Sequence, residues 1–573
     1  MDNRAVAQVF GEIADLLEIK GENAFKIRAY RSAADTIGAW ADDVTRLDGR
    51  ALRALPGIGK DLALKVRELA DTGACRFHQE LLREFPATML GLLRLQGIGP
   101  KTVALLHATL NVASVDDLAA AARAGRLRGL KGMGPKKEAL VLKAIQERRR
   151  DAGRHLLPAT AALAGELVHD LCLHAPDAEF IPVGSLRRGC ETCGDIDILA
   201  VGGGPDSMDR FAGHPRVERV LGHGETKASV RLQGGCQADL RLVPRESRGA
   251  ALQYFTGSKA HNIVLRDRAL TRGLTLNEYG LFRVSNEARV AGDTEEGVYE
   301  ALGLPWIEPE LREHRGEFDA ALSDGLPRLL STADLRGDLH MHTTVTDGRD
   351  DLETMAAAAH RMGHGYIAIT DHSQALAMAN GLDEARALAH AARVRALNGR
   401  FEGLTLLAGI ECDILPDGSL DLADDCLAEL DIVVASVHSH FTQEPAQITD
   451  RLLRAMECRW VDVLGHPTAR RLLKREPLRF DADAVMQSAA ARGVAMEINC
   501  QPQRLDLNDA YARMARDRGV RLVISTDAHS TAELENLRWG VVTARRGWIG
   551  PEHVLNSRSL EDLRPLLRRH ARV

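Results

Sequence analysis

Hydrophobic residues recur at helical spacing through the first fifty residues of the chain. One run extends from Val6 to Leu17 and a second from Phe25 to Ile37. Apolar side chains at every third or fourth position line one face of an amphipathic helix. The pattern therefore predicts two packed helices, and a further, strongly charged helix is predicted over residues 138–152.

Short apolar runs replace this spacing after residue 153. Ile196, Ile198 and Leu199 indicate one strand, and alternating apolar positions over 237–243 indicate another. From residue 334 to residue 573, apolar strands alternate with helical segments, which is typical of a parallel-stranded α/β barrel. The pattern predicts a helical N-terminal region, a central α/β region and a C-terminal barrel.

Composition agrees with a multidomain globular protein. The 573 residues exceed the size of a single hydrophobic core. No apolar run is long enough to cross a membrane, and the N-terminus does not resemble a signal peptide. Nine cysteines without framework spacing indicate reduced thiols, so a cytoplasmic location is expected.

The charge is divided unevenly along the chain. Residues 1–150 carry 25 Lys and Arg against 18 Asp and Glu, a net charge of +7, whereas the whole chain carries −6. The basic part is suited to the phosphate backbone of a nucleic acid. The acidic remainder needs another reason for its carboxylates, and metal ligation is one.

Three segments of the basic part share a Gly-apolar-Gly turn followed by lysine, at residues 55–60, 95–101 and 130–136. Glycine permits the tight turn, and the helix that follows presents free N–H groups to a phosphate. The segments resemble the helix-hairpin-helix motif of sequence-independent DNA binding. The resemblance implies these contact residues: Gly57, Gly59, Lys60, Gly97, Gly99, Lys101, Gly132, Gly134 and Lys136.

The stretch from Gly184 to Leu199 contains the most specific candidate chemistry. Alternation along the predicted strand places Asp195 and Asp197 on one face. Two such carboxylates repel each other unless a cation lies between them, and oxygen ligands suit Mg²⁺ or Mn²⁺. A Gly-Ser turn and two arginines precede them and can bind a polyphosphate. The arrangement indicates metal-assisted nucleotidyl transfer.

This stretch resembles the nucleotidyltransferase superfamily, and its Arg-Arg-Gly-x-Glu run resembles family X DNA polymerases. The runs 251–266 and 273–280 resemble the nucleotide-selecting subdomain of that family. The resemblance implies that Asp195, Asp197 and Asp239 form the catalytic, metal-binding triad. It implies nucleotide binding by Gly184, Ser185, Arg188, Gly194, Tyr254, Phe255, Gly257, Asn262 and Arg266.

Lys65 lies in the helix after the first glycine turn. A lysine at this place in the family X lyase domain forms a Schiff base with an abasic sugar, so the resemblance implies a possible lyase nucleophile. Asp61 stands where related polymerases often carry lysine. An ordinary exposed lysine is therefore the favoured interpretation.

Histidine and carboxylate residues recur at the ends of the predicted C-terminal strands. Strand ends converge at one mouth of an α/β barrel, and such ligands suit Zn²⁺, Mn²⁺ or Fe²⁺. His360, His364 and His390 are interpreted as structural. The other clusters resemble the polymerase-and-histidinol-phosphatase (PHP) domain, a phosphoesterase for which up to three Mn²⁺ or Zn²⁺ ions are expected. The implied ligands are His340, His342, Asp347, His372, Glu411, His438, His466, Asp527 and His529.

These resemblances together imply a multidomain fold. It comprises a helical lyase-like domain (1–82), a helix-hairpin-helix subdomain (83–152), an α/β nucleotidyltransferase palm (153–247), a small α+β nucleotide-selecting subdomain (248–315), a linker (316–333) and a PHP domain with a distorted βα-barrel (334–573).

The order of domains resembles bacterial and archaeal family X DNA polymerases. It implies a DNA-directed DNA polymerase that fills short gaps in DNA repair, with a 3′→5′ exonuclease in the PHP domain. We expect a monomer that acts on gapped or primer–template DNA with dNTPs and without a membrane. Two alternatives stay open: a repair nuclease whose palm only binds DNA, and a small-molecule phosphatase of the histidinol-phosphatase type.

Overall fold

The structure is a computed structural model. It describes residues 3–40, 43–93, 98–130, 133–135, 137–139, 141–142, 145, 153–323 and 325–567. Most of the helix predicted over 138–152 lies outside these residues, as do Gly97, Gly132 and Lys136.

The N-terminal region is helical, and its first two helices pack against each other as predicted. Phe10 and Leu16 are fully buried in their shared core. Phe25 departs from the prediction because it lies in the first turn of its helix, 75% exposed, with the Arg28 guanidinium 4.7 Å from its ring. The α-helices before residue 130 are Asn3–Lys20, Ala24–Ala39, Gly49–Ala54, Lys60–Thr72, Arg76–Glu84, Leu90–Leu93, Pro100–Leu110 and Val115–Arg123.

The palm is built on a five-stranded sheet covered by helices. The strands of the palm, five of which form this sheet, are β1 (His155–Leu156), β2 (Glu179–Pro182), β3 (Thr192–Cys193), β4 (Asp195–Val201), β5 (Val217–His223), β6 (Lys227–Leu232) and β7 (Gln237–Val243). The sheet order is β2-β4-β7-β6-β5, and β1 pairs separately with β3. Only β4 and β7 run parallel in the larger sheet. The palm helices are Leu157–His174, Gly184–Arg187 and Asp206–Ala212.

The small subdomain after the palm combines three helices with an antiparallel sheet. The sheet contains β8 (Leu274–Asn277), β9 (Gly280–Arg283) and β10 (Arg289–Ala291), and the helices are Arg248–Thr256, Lys259–Leu270 and Glu295–Ala301. We call this subdomain the thumb.

A buried ion cluster joins the palm to the thumb. Arg187 donates to both oxygens of Glu295 at 2.9 and 2.6 Å, and Arg312 donates to the same carboxylate at 2.7 Å. Burial raises the pKa of Glu295, but the two arginines outweigh it and lower the pKa to about 2. The carboxylate therefore stays charged at any pH at which the protein works.

The stretch 316–333, predicted to be a linker, is instead a packed junction. It forms the helix Glu317–Leu322, and Phe318 and Leu329 are buried in the thumb core together with Trp548 from the C-terminal domain. The Leu330 N–H donates to the carbonyl of Ile549 at 2.9 Å. Glycine and proline here mark turns between buried apolar side chains.

The C-terminal domain is a nearly closed barrel of seven parallel strands. They are β11 (Gly337–Asp338), β12 (Tyr366–Ile369), β13 (Thr405–Asp413), β14 (Ile432–Ser436), β15 (Val463–Leu464), β16 (Ala495–Asn499) and β17 (Leu522–Ser525), in that spatial order. A parallel bridge between Met341 and Ala528 joins the segments that follow the first and last strands.

Helices surround this barrel as predicted. They are Leu352–Arg361, Glu384–Ala396, Asp424–Ala428, Pro445–Ala455, Ala482–Arg492, Asp509–Asp517, Leu537–Arg546 and Leu560–Leu563. Among all described residues, no single helix is long and apolar enough to cross a membrane, although Pro100–Leu110 and Val115–Arg123 pass that test as a pair bent by 67°.

Close backbone packing in the thumb yields a stability prediction. A Cβ atom on Gly249 would lie 2.0 Å from the carbonyl carbon of Thr294, whereas one on the exposed helical Gly165 would meet open space. Gly249→Ala should destabilise the fold by about 1–3 kcal/mol through overpacking. Gly165→Ala should stabilise its helix by about 0.5–1 kcal/mol. Thermal unfolding of both variants checks this, and an unchanged Tm for Gly249→Ala would contradict it.

Candidate active sites

The C-terminal candidate site lies where the barrel strands end. His340 and His342 follow β11, His372 follows β12, and Glu411 lies near the end of β13. Asp347 lies in the loop after His342, and the remaining ligands follow β14, β15 and β17. Because parallel strands end at one mouth, residues almost 200 positions apart come together.

The predicted ligands form three overlapping groups whose donor atoms lie within 4.8 Å of one another. His342, His372 and Glu411 each belong to two groups, so these three residues are shared between neighbouring positions. His466 Nε2 lies 3.0 Å from Glu411 Oε1, which brings the ninth residue to the same place. The groups are His340, His342, Glu411 and Asp527; His342, Asp347, His372 and His529; and His372, Glu411 and His438.

The donor atoms fit divalent cations. Several are buried and lack a well-aligned hydrogen bond among the described residues, namely His340 Nε2, His342 Nδ1, His372 Nδ1 and Glu411 Oε2, the last two of which lie 2.9 Å apart as an ion pair. Leaving such atoms without a partner is costly unless a ligand satisfies them. Imidazoles mixed with carboxylates are the donors that Mn²⁺ and Zn²⁺ accept.

Carboxylates behind the ligands orient their rings. Glu497 lies 2.7 Å from His340 Nδ1, and Asp413 lies 2.8 Å from His438 Nδ1. A partner on one ring nitrogen directs the other nitrogen toward a metal. The sequence interpretation missed both residues, although Glu497 is a polar residue that interrupts the apolar strand β16.

Two further polar residues near this site, Asp371 and His440, differ in burial. Asp371 is buried and accepts hydrogen bonds from Thr343, Thr346 and His390. The structural interpretation of His390 stays a prediction. His440 is exposed and has a positive φ of 56°.

Burial and neighbouring charges shift the pKa values of two histidines in this cluster in opposite directions. Burial and the neighbouring His372 lower the pKa of His342 to about 4. Burial also lowers the pKa of His372, but Glu411 and Asp347 outweigh it and raise the pKa to about 10. A cation bound at these nitrogens would compete with protons, so cation affinity should fall as the pH is lowered.

The palm candidate site is created by the parallel pairing of β4 with β7. Asp197 stands directly opposite Asp239 in the register, and Asp195 lies two residues before Asp197 on the same strand face. The structure thus brings the three predicted carboxylates together. Lys227 Nζ, which the sequence interpretation did not include, lies 3.2 Å from Asp239 Oδ2.

Mutual repulsion is visible in the palm carboxylates. Burial, then the charges of Asp195 and Asp239, raise the pKa of Asp197 to about 6. Burial and Asp239 also raise the pKa of Asp195. A cation between the three carboxylates would reduce their repulsion and lower the pKa values of Asp195 and Asp197.

A glycine turn lies against this triad. Gly184 has a φ of +63°, and a Cβ atom there would lie 2.6 Å from Asp197 Oδ2, so the turn requires glycine. Ser185 follows it, and Gly194 is exposed immediately before Asp195. Arg188, predicted to bind the triphosphate, donates from Nε to Glu313 at 2.9 Å and from Nη1 to the Thr256 carbonyl at 2.8 Å.

The predicted nucleotide-selecting residues are clustered in the thumb. The rings of Tyr254 and Phe255 meet edge to face with centroids 5.1 Å apart. Asn262 accepts a hydrogen bond from Gln253 at 2.8 Å and donates to the Tyr254 carbonyl at 2.6 Å. Gly257 approaches Asn262 closely, and Arg266 is exposed.

The described parts of the three glycine turns in the N-terminal region share two features. The apolar residue between the glycines is buried in each of them, as Ile58, Ile98 and Met133. Gly59 and Gly99 precede the helices Lys60–Thr72 and Pro100–Leu110, and neither helix has a side-chain N-cap. Their first N–H groups therefore face outward beside the exposed residues Lys60 and Lys101, while Gly134 occupies the same place in the third turn.

Lys65 forms an ion pair, which is not the state that a nucleophilic amine needs. Its Nζ lies 2.6 Å from Asp61 Oδ2. Burial lowers the pKa of Lys65, but Asp61 and Tyr30 outweigh it and the net pKa is raised. A Schiff base needs the neutral amine, so this arrangement does not favour lyase chemistry.

Family models match four parts of the chain. A helix-hairpin-helix domain matches residues 1–75, and a SAM-like helix-hairpin-helix tandem matches residues 89–147. The DNA polymerase beta thumb matches residues 251–313, and the PHP domain matches residues 338–501. These matches confirm the predicted multidomain fold class.

Relatives agree with the models. The DNA polymerase/3′-5′ exonuclease PolX of Bacillus subtilis (strain 168) is 37% identical over 573 residues, which cover both chains completely. A probable phosphatase of Shewanella sp. (strain MR-4) is 30% identical over 34% of this chain and 75% of its own. A probable phosphatase of Thermoanaerobacter sp. (strain X514) is 26% identical over 38% of this chain and 85% of its own. Because the first similarity covers the whole length, the chain belongs to the PolX family of DNA polymerase/3′-5′ exonucleases.

Proposed function

We propose that the palm fills short gaps in DNA during repair and that the C-terminal barrel removes nucleotides from 3′ ends. The single observation that carries the first part is the register of β4 and β7, which places Asp197 opposite Asp239 with Asp195 on the same face. The full-length similarity to a polymerase with an exonuclease supports both parts.

In the palm, Asp195, Asp197 and Asp239 would hold Mg²⁺ or Mn²⁺. Such ions lower the pKa of a primer 3′-hydroxyl and stabilise the attacking and leaving oxygens. Gly184 lets the turn approach the Asp197 carboxylate closely, and Ser185, Arg188 and Gly194 would bind the triphosphate of a dNTP. In the thumb, Tyr254 and Phe255 would border its sugar, Asn262 would contact the base edge and Arg266 the template.

In the barrel, the nine ligands would hold up to three Mn²⁺ or Zn²⁺ ions. Bound ions lower the pKa of a water molecule and supply hydroxide near neutral pH. Asp347 and His529 are the more exposed ligands, whereas His340 and His342 are buried. The 3′ end would therefore approach from the side of Asp347 and His529.

DNA would be delivered to both sites by the basic N-terminal region. Helix N-termini beside exposed lysines bind backbone phosphates without reading bases. We propose gapped or primer–template DNA as the substrate, a monomer as the working form and the cytoplasm as its location. The relatives named probable phosphatases match only 34–38% of this chain, whereas the polymerase region and its DNA-binding turns favour DNA.

Because the two activities are assigned to separate active sites, a mutation in either site should remove one activity and leave the other. Asp197→Ala should reduce nucleotide addition at least about 1,000-fold because the triad loses its central ligand, while 3′ degradation with Mn²⁺ continues. His340→Ala combined with His342→Ala should abolish degradation and leave gap filling.

A labelled gapped duplex, incubated with Mg²⁺ or Mn²⁺ and with or without dNTPs, reports both activities. The exposed His360→Ala is the matched control and should change neither. Degradation that disappears with Asp197 and survives the histidine changes would reverse the assignment of the two sites.

Because Glu411 belongs to two ligand groups, its replacement should weaken ion binding at two positions in the barrel. Glu411→Gln should weaken Mn²⁺ binding by at least about 100-fold, since loss of an outer-shell partner alone costs 10–100-fold. Titration calorimetry of the metal-free protein, with His360→Ala as control, measures this change. Full Mn²⁺ stoichiometry and affinity in Glu411→Gln would contradict the proposed bridging position.

Backbone binding predicts a steep dependence of DNA affinity on salt. Lys60→Ala combined with Lys101→Ala should weaken binding to gapped DNA and reduce the salt slope by about 2, one for each lost phosphate contact. Fluorescence anisotropy at several salt concentrations measures the slope. Lys20→Ala, which removes a lysine paired with Glu84, should leave the slope unchanged, and a strong base preference would argue against the proposal.

A further inference from the structure

The triphosphate-binding loop of the palm lies directly against the C-terminal domain. A Cβ atom on Gly189 would lie 2.1 Å from Val542 Cγ1 in the helix Leu537–Arg546. Two residues later, Glu191 pairs with Arg470 at 2.8 Å. The loop that carries Ser185 and Arg188 is therefore packed against the domain that carries the other active site.

Arg188 and Arg546 share one carboxylate within this contact. Arg188 Nε and Arg546 Nη1 each donate to Glu313 Oε1 at 2.9 Å. Arg546 Nη1 also donates to the backbone carbonyl of Arg188 at 2.8 Å. All three side chains are largely buried, with exposures of 14%, 9% and 17% for Arg188, Arg546 and Glu313. The palm, thumb and barrel therefore each contribute one member.

Arg546 is held from its other side as well. Its Nη2 lies 2.9 Å from Asp509 Oδ2, which also pairs with Arg315 at 2.9 Å. The cluster then contains three guanidinium groups and two carboxylates, a net charge of +1. Without Arg546 the same cluster would be neutral.

We propose that Arg546 is a positioning residue for dNTP binding in the palm. It keeps Glu313 beside Arg188 and fixes the Arg188 backbone, so the guanidinium is held in place before a triphosphate arrives. It also leaves the cluster one positive charge, which attracts the polyanion in a place of low dielectric. Preorganisation and charge both increase affinity for the triphosphate. The inference rests on the proposed role of Arg188.

Arg545 provides a matched control on the same helix. It pairs with Glu310 at 2.6 Å and Glu308 at 3.1 Å and donates to the Leu330 carbonyl at 3.2 Å. These contacts join the barrel to the thumb junction, as those of Arg546 do. Among the described residues none of its hydrogen bonds reaches the palm loop.

The test is single-nucleotide gap filling by the full-length protein with Arg546→Gln, Arg545→Gln or Arg188→Gln. We expect Arg546→Gln to raise the KM for dNTP by about 5–10-fold while kcat changes by less than about 2-fold, as for lost uniform binding. The affinity for gapped DNA and the Mn²⁺-dependent degradation of 3′ ends should stay at wild-type levels. Arg545→Gln should leave the KM unchanged, and Arg546→Lys should restore part of it.

Two failures can be told apart. If Arg188→Gln raises the KM for dNTP but Arg546→Gln behaves like Arg545→Gln, the positioning role is wrong and the proposed palm site stands. If Arg188→Gln leaves the KM unchanged, the triphosphate-binding assignment of Arg188 is wrong, and the role of Arg546 is wrong with it. If Arg546→Gln does not fold, Arg546→Lys is compared with Arg545→Lys, because lysine keeps the charge and changes only the hydrogen bonds. A KM for dNTP raised in Arg546→Lys alone supports the positioning role, and equal KM values contradict it.

Discussion

Parallel pairing of strands is the constraint on which both candidate sites depend. In the palm it holds Asp197 opposite Asp239, and in the barrel it gathers seven strand ends at one mouth. Backbone hydrogen bonds fix these positions regardless of the charges that the side chains bring. Carboxylates and imidazoles that would separate in solution are therefore kept close, and a divalent cation is the simplest way to balance them.

The same constraint explains which features the sequence could predict. A ligand at a strand end is readable because a polar residue interrupts an apolar run, and this signal identified Glu411, Asp527 and the histidines around them. The order of motifs also predicted the fold class. Asp413 instead acts through its contact with His438, which follows the neighbouring strand. Its role depends on the orientation of the His438 ring, which the spacing of residues along the chain does not indicate.

Two other differences between the sequence predictions and the structure have physical causes. Phe25 follows the helical spacing, but a residue in a first helical turn can point away from the neighbouring helix. Residues 316–333 have the glycine and proline content of a linker, although Phe318 and Leu329 are buried between two domains. The composition of such a segment indicates its turns, whereas the burial of its side chains depends on the domains that pack against it.

The position of Trp548 has a consequence for how the chain folds. This side chain comes from the barrel, yet it completes the apolar core of the thumb more than two hundred residues earlier in the sequence. During synthesis this core therefore lacks one of its side chains until almost the whole chain has been made. The polymerase half and the nuclease half share this packing, so a mutation at the junction can destabilise both.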